Sequence, residues 1–136
     1  MLAVVDTGPL YAVADRSDAD HARSLAVLRR PDLDLVIAGL AVAEVCYLLG
    51  ERLGPRAEAA FLRGLATFDV RAPHPDDWER MSELVETYAN FPLGGVDASV
   101  VALAERLDTD LVVTLDERHF RAVRPNHCPS FRIIPD

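Results

Sequence analysis

Residues 33–50 read LDLVIAGLAVAEVCYLLG, and they predict a buried strand that leads directly into a helix. Residues 33–38, apolar except for Asp34, suit a parallel strand, and residues 40–49 are apolar on all sides except at Glu44, which is typical of a helix sandwiched inside a domain. Between segments of helical periodicity, further strand-like segments recur at residues 2–5, 69–73, 110–115 and 131–135. Strands that alternate with helices in this way predict a three-layer α/β/α fold around a mostly parallel sheet.

The length of 136 residues suits one domain, which we expect to span residues 1–136. The N-terminal MLAVVDTG lacks the pattern of a signal peptide, and no apolar stretch reaches the roughly 18 residues of a membrane span. Two cysteines are too few for a disulfide framework. We therefore expect a cytoplasmic protein without a membrane segment.

The formal net charge is −8, and every one of the 14 cationic residues is an arginine. An acidic chain argues against a nucleic-acid partner, unless several acids are metal ligands and so present a neutral or positive site to a phosphate. Because the sequence contains no lysine, a Walker-type phosphate lysine, a Schiff base and a lysine general base are excluded.

Glu44 is the only residue charged at neutral pH between residues 35 and 50. Removing a carboxylate from water costs several kcal/mol unless it is paired or held near a metal, and no Arg or His lies within this run. A solvent-facing Glu would have polar neighbours at helical spacing, whereas Leu40, Ala41, Tyr47 and Leu48 occupy those positions. Glu44 is therefore expected to have a functional role.

Three aspartates repeat this pattern beside apolar segments. Asp6 follows LAVV, Asp116 follows LVVTL, and Asp97 opens a helix. In parallel sheets ligands bind beyond the carboxyl ends of the strands, so these acids and Glu44 are expected to converge there. Carboxylate oxygens suit Mg²⁺ or Mn²⁺, which would orient and deprotonate a water and neutralise a phosphate.

Each acid also has a plain structural interpretation. Asp6 and Asp97 could cap the helices that follow them, and Asp116 could be an ordinary loop acid. Thr7 and Thr114 could each hydrogen-bond a ligand oxygen, or be simple turn and strand residues. A set of basic residues could contact RNA phosphates or form a solvated segment; these are Arg118, His119, Arg121, Arg124 and His127. His119, His127 and Cys128 have no recognised zinc spacing.

Four segments together resemble the PIN domain, in a layout similar to VapC-type toxins of bacterial toxin–antitoxin pairs. They are VVDTGPLYA, VAEVCYLL, GGVDASVVALAERL and LVVTLDERHF, and they carry Asp6, Glu44, Asp97 and Asp116 in that order. The resemblance covers essentially the whole chain. It departs at Gly39 and Leu40, where relatives often carry Ser and Pro.

The resemblance implies a Mg²⁺- or Mn²⁺-dependent endoribonuclease. It makes Asp6 and Asp97 the main metal ligands, Asp116 a further ligand often acting through water, and Glu44 the acid that positions metal or water. Thr114 matches the hydroxyl residue commonly found two places before the last acid. Thr7, Thr114, Arg118 and Arg121 are the expected substrate contacts.

The resemblance also implies a homodimer and a cognate antitoxin whose C-terminal segment lies along the groove near the acids. Leu10, Tyr11, Tyr47 and Leu48 are the expected apolar contacts. The competing interpretations are a receiver-like domain, a phosphatase-like domain and a PIN-like module that binds RNA or a partner without cleaving. The first would need a lysine, the second would need Asp-x-Asp after the first strand, and the third is disfavoured by the presence of all four acids.

Overall fold

The computed structural model describes residues 1–135, which form five strands and seven α-helices. The strands are β1 (Leu2–Val5), β2 (Asp34–Ala38), β3 (Asp69–Arg71), β4 (Leu111–Val113) and β5 (Arg132–Ile134). The helices are α1 (Thr7–Ala14), α2 (His21–Leu28), α3 (Gly39–Arg52), α4 (Pro55–Gly64), α5 (Asp77–Thr87), α6 (Gly95–Arg106) and α7 (Glu117–Ala122). A single 3₁₀ turn, Leu65–Thr67, follows α4.

The strands form one sheet in the order β3-β2-β1-β4-β5, and all four pairings are parallel. β1 lies at the centre, where Val4 is opposite Val36 of β2 on one side and Val112 of β4 on the other. The predicted three-layer α/β/α fold is confirmed, with a sheet that is parallel throughout rather than mostly parallel.

The core lies around the two central strands and helix α6. Val4, Val5, Val112 and Val113 are fully buried, because helices cover both faces of a parallel sheet. All of residues 98–104 in α6 are buried as well. α6 is therefore the helix that is sandwiched inside the domain.

The prediction that α3 is buried on all sides is wrong. Only Ala41, Val45 and Leu49 of α3 are buried, at a four-residue spacing that forms one stripe against the core. Glu44 is exposed, and the ring of Tyr47 is 67% exposed. Apolar composition does not by itself require burial, and here the outer sides of the helix face a cleft and solvent.

The parallel sheet places all strand ends that lead into helices at one edge. Asp6 follows β1 and Thr114 follows β4 at this edge, and Gly39 starts α3 directly after β2. Among residues 1–135, no helix combines the length and apolar character of a membrane crossing.

Candidate active site

An open cleft at the carboxyl edge of the sheet contains all four acids singled out from the sequence. It measures about 490 Å³, within the size range of ligand-binding sites. We call it the acidic cleft; its lining residues are Asp6, Thr7, Gly8, Tyr11, Asp18, Asp20, Glu44, Leu48, Arg52, Asp97, Leu115 and Asp116.

The central strands bring two of the acids together. The backbone N–H of Asp6 donates to the carbonyl of Val113 at 3.0 Å, which fixes the end of β1 against the end of β4. Asp116 lies just beyond β4 and therefore emerges beside Asp6. Asp97 reaches the cleft from the first turn of α6, and Glu44 from α3.

Asp6 is a deeply buried carboxylate, only 5% exposed. Burial raises its pKa from 3.8 to about 7, and the charges of Asp97 and Glu44 act in the same direction. The Thr114 hydroxyl and the nearby backbone N–H of Thr7 oppose this rise. Asp6 precedes α1 but its side chain makes no capping hydrogen bond, and its Oδ1 is buried without a partner among residues 1–135. Helix capping therefore does not explain why an aspartate occupies position 6.

Thr114 connects two of the acids through its buried hydroxyl. Its hydroxyl is buried, donates to Asp6 Oδ2 at 2.8 Å and accepts from the backbone N–H of Asp116 at 3.0 Å. One hydroxyl thus orients the Asp6 carboxylate and the chain that carries Asp116. Thr7 lines the cleft, and its own Oγ1 is buried without a hydrogen-bond partner in the described residues.

Asp97, Asp116 and His119 form a compact cluster in which one potential ligand atom from each lies within 4.8 Å of the others. His119 Nδ1 lies 2.7 Å from Asp116 Oδ2. Burial and then the charge of Asp116 raise the pKa of Asp97, as expected for like charges held close together.

The capping interpretation applies unequally to this cluster. Asp116 does cap α7, because its Oδ1 accepts from the backbone N–H of His119 at 3.1 Å. The Asp97 carboxylate accepts from the Gly94 N–H at 3.4 Å, which is a long hydrogen bond. The other oxygen of Asp116, Oδ2, meets the His119 ring nitrogen, so each oxygen has one partner and keeps a second lone-pair site for a cation.

The residues fit a hard divalent cation. An unpartnered buried carboxylate oxygen on Asp6 is a costly feature that a cation would relieve. The neighbouring donors are mostly carboxylate oxygens, which Mg²⁺ and Mn²⁺ prefer, and one imidazole nitrogen. The cleft thus has the donor set of a divalent-metal site.

The model of the PIN domain matches residues 3–125 of the sequence. This chain belongs to the PIN domain family. The resemblance predicted from the four acidic segments is therefore confirmed, and the receiver-like and phosphatase-like alternatives are excluded.

Individual relatives lie among VapC proteins. Ribonuclease VapC26 from Mycobacterium tuberculosis is 35% identical over 134 residues, covering 97% of this PIN domain chain and 99% of the relative. The crystal structure of VapC20 from M. tuberculosis, a sarcin–ricin-loop-cleaving toxin, has a TM-score of 0.73 at 22% identity and covers 81% of this chain and 86% of that one. The crystal structure of VapBC2 from Rickettsia felis, bound to a fragment of promoter DNA, has a TM-score of 0.70 at 14% identity, and the match covers 98% of this chain and 97% of that one. These two likenesses show a shared fold.

Glu44 occupies the cleft of this PIN domain in an unexpected way. Its side chain lines the cleft with the other acids, yet the residue is exposed, so its carboxylate stays in contact with water. The sequence argument for a buried Glu44 carboxylate was therefore wrong about burial. The acid that does pay this cost is Asp6.

The predicted RNA contacts Arg118 and Arg121 lie on α7, outside the residues that line the cleft. The Arg118 guanidinium lies 5.0 Å from the centre of the Phe91 ring, and the Phe91 ring meets the His119 ring edge-on. Arg121 is exposed and forms an ion pair with Glu117 at 3.6 Å. Arg118 is thus adjacent to the metal-capable cluster, and Arg121 faces solvent.

The four predicted apolar partner contacts do not form one surface. Tyr11 and Leu48 line the acidic cleft, and Tyr47 is exposed outside its lining. Leu10 lines a separate apolar groove between α1 and α4.

Sequence reasoning did not assign His119 to the metal-capable cluster, and it missed Arg52 altogether. His119 lies three residues after Asp116, a helical spacing that places both on one face, so this signal was readable. Arg52 lies eight residues after Glu44 on the same helix, and this spacing was likewise available.

Proposed function

We propose that this PIN domain is a divalent-metal-dependent endoribonuclease, the toxin component of a type II toxin–antitoxin pair, with residues 1–136 forming one nuclease domain. The observation that carries the proposal is the buried Asp6 carboxylate, whose Oδ1 has no hydrogen-bond partner among residues 1–135, beside the Asp97, Asp116 and His119 cluster. The ribonuclease name of a relative with 35% identity over nearly the full chain supports the reaction class.

Asp6 and Asp97 would be the main ligands of Mg²⁺ or Mn²⁺, and Asp116 a further ligand acting directly or through water. When bound, the ion supplies charge neutralisation at the phosphate and activation of a water for phosphodiester hydrolysis. Asp6 is held for this role by the Thr114 hydroxyl, and Asp116 by its contacts with Thr114 and His119. Glu44 lines the cleft and is exposed, so it can orient a water on the solvent side.

RNA would approach over the rim of the acidic cleft. Thr7 and Thr114 are buried beside the acids, where they are proposed to hydrogen-bond ligand or water oxygens. Arg118 and Arg121 are proposed to contact the RNA backbone from α7. Arg118 contacts the Phe91 ring that also meets His119, so we expect Arg118 to lie closer to the reacting phosphate than Arg121.

The test is cleavage of total RNA by the purified protein in EDTA, Mg²⁺ or Mn²⁺, with sequencing of the new 5′ ends. We expect discrete internal cuts that require the metal. Cleavage that persists in EDTA would reject the metal dependence, and absence of cleavage under all conditions would reject the endoribonuclease proposal and leave the non-cleaving PIN-like module.

A cognate antitoxin is the proposed protein partner, and a cytoplasmic location is proposed because RNA and the antitoxin are met there. Solved structures with this fold include a toxin–antitoxin complex from Klebsiella pneumoniae. The homodimer implied by the resemblance stays a prediction, checked by sedimentation of the purified chain. Co-expression of the correct antitoxin should suppress both growth arrest and RNA cleavage.

Thr114→Val should lower the rate of RNA cleavage about tenfold, because the Asp6 and Asp116 contacts lose their shared hydroxyl. The measurement is kcat at saturating Mg²⁺. Thr109→Val is the matched control, since the Thr109 hydroxyl also accepts from the N–H two residues on and donates to a distant carbonyl, that of Leu2. It should lose stability similarly and retain activity; equal activity losses in both variants would contradict the role of Thr114.

Glu44→Gln should reduce cleavage by about tenfold, less than removal of a metal ligand, because an exposed carboxylate acts on water rather than as a main ligand. The substitution also removes a negative charge that repels Asp6 and Asp97, and this relief partly offsets the reduction in cleavage rate. Single-turnover rates at fixed Mg²⁺ provide the measurement. Glu51→Gln, exposed on the same helix and outside the cleft lining, should cleave at the wild-type rate.

A further inference from the structure

Arg52 stands out among the residues that line the acidic cleft. Within the described residues 1–135 it is the only cation in a lining that contains six carboxylates. It is exposed and forms no ion pair within that part of the chain. Hydrogen bonds from Ser17 and Tyr11 lower the pKa of Asp15, and the charge of Arg52 adds to that effect. Because no carboxylate of the described residues pairs with Arg52 within 4.0 Å, its guanidinium remains accessible to an incoming anion.

The position of the Arg52 guanidinium is set by an aromatic ring. It lies 5.0 Å from the centre of the Tyr11 ring, and the tyrosine is only 6% exposed. The Tyr11 hydroxyl donates to Asp15 Oδ2 at 2.8 Å, and Asp15 Oδ1 accepts from the Ser17 hydroxyl at 2.6 Å. Arg52 also lies close enough to the Tyr11 hydroxyl to oppose the rise that burial causes in the pKa of Tyr11, so part of the guanidinium faces the tyrosine. The remaining N–H donors are available to a ligand, and a guanidinium held against a buried ring loses less freedom when it binds.

The α3 helix separates Arg52 from the metal-capable end of the cleft. Glu44, Leu48 and Arg52 all line the cleft and follow one another at four-residue spacing. Eight residues of helix correspond to about 12 Å along the axis. Arg52 thus emerges from α3 about two turns beyond Glu44, where it can meet a part of a bound chain other than the phosphate that the acids would address through a metal.

We propose that Arg52 holds a backbone phosphate of the RNA substrate other than the scissile one. The inference rests on the proposed ribonuclease function and assigns Arg52 as a substrate-positioning residue. Arginine suits this task because its planar fork binds phosphate oxygens in pairs. In a chain of net charge −8 without lysine, such a contact also offsets the repulsion between the acidic rim and RNA.

The first test compares Arg52→Gln, Arg52→Lys and the control Arg56→Gln, which removes an exposed arginine outside the cleft lining. The probe is an RNA oligonucleotide containing a cut site mapped with the wild-type protein. We expect Arg52→Gln to raise KM about tenfold with kcat nearly unchanged. Arg52→Lys should be intermediate, and Arg56→Gln should match the wild type. The salt dependence of KM should also weaken for Arg52→Gln by about one phosphate contact.

The second test locates the phosphate. Single neutral methylphosphonate linkages are placed in turn along the same RNA. At one linkage outside the cut site, we expect the wild type to lose affinity while Arg52→Gln loses nothing further. The proposal is overturned if Arg52→Gln and the wild type lose the same affinity at every substituted linkage. It is likewise overturned if Arg52→Gln unfolds at a lower temperature and loses kcat alone, since Arg52 would then have only a structural role beside Tyr11.

Two other outcomes separate this inference from the proposed function. If the wild type does not cleave RNA, the nuclease proposal fails, and binding of a fluorescent single-stranded RNA by the same variants still tests Arg52 through the salt slope. If Arg52→Gln weakens only binding of an antitoxin and leaves RNA binding unchanged, the anion held by Arg52 is a protein carboxylate and the inference is overturned.

Discussion

Asp97→Asn is expected to lower the rate of RNA cleavage by about a thousandfold or more while leaving the protein folded. Asp97 belongs to the cluster with Asp116 and His119, and loss of a ligand charge there removes several kcal/mol of stabilisation from the reacting phosphate. The asparagine carbonyl can still accept from the Gly94 N–H at the start of α6, so the helix keeps its local contact. Single-turnover cleavage of an end-labelled RNA at matched Mg²⁺ measures the effect.

Asp76→Asn is the matched control for this variant. Asp76 also lies at the start of a helix, α5, but its side chain is 94% exposed and does not line the acidic cleft. It should cleave at the wild-type rate. An Asp97→Asn protein that cuts as fast as the wild type would remove Asp97 from the proposed metal site.

Asp6→Asn is expected to stabilise the metal-free protein at neutral pH by on the order of 1–3 kcal/mol. Burial raises the pKa of Asp6 from 3.8 to about 7, so the folded protein binds this proton more tightly than the unfolded chain. The contribution of Asp6 to stability is therefore greatest below pH 3.8, falls as pH rises and is lost above about 7. An amide does not ionise and avoids this loss, although its buried N–H₂ group offsets part of the gain.

Urea unfolding in EDTA at pH 5, 6, 7 and 8 would measure this difference between variant and wild type. Taking the difference removes the contributions of acids that do not interact with Asp6, and the pH dependence that remains belongs to Asp6 together with Asp97 and Glu44, whose charges act on it. Added Mg²⁺ should then stabilise the wild type and do little for Asp6→Asn, because only the former keeps the ligand charge. A difference that stays constant across this pH range would show that Asp6 is not buried as a carboxylate.

Much of the fold could be predicted from the sequence because it depends on local patterns. The apolar segments at residues 2–5 and 110–115 lead to β1 and β4, and their unbroken apolar character is what burial by helices on both faces demands. Once the strands are parallel, residues that follow them must meet at one edge. For this reason Asp6 and Asp116 could be assigned to the same cleft although 110 residues of sequence separate them.

The burial of individual charges could not be predicted in the same way. The sequence pointed to Glu44 as the carboxylate removed from water, because its neighbours along the chain are apolar, yet Glu44 is exposed and Asp6 is buried. The desolvation of a side chain depends on which distant elements cover it. α3 presents only one stripe to the core, whereas Asp6 lies at the end of the central strand with Thr114 behind it.

The amino-acid sequence alone determined the parallel α/β architecture and the edge of the sheet where the acids gather, since these follow from periodicity and from chain order, and the resemblance of its four acidic segments pointed to the family. Only the tertiary structure decided that Asp6 carries the raised pKa, that His119 joins Asp97 and Asp116, and that Arg52 rests on Tyr11 inside an acidic cleft. These properties arise from contacts between residues far apart in the chain, and electrostatic energies vary steeply with such distances and with exclusion of water.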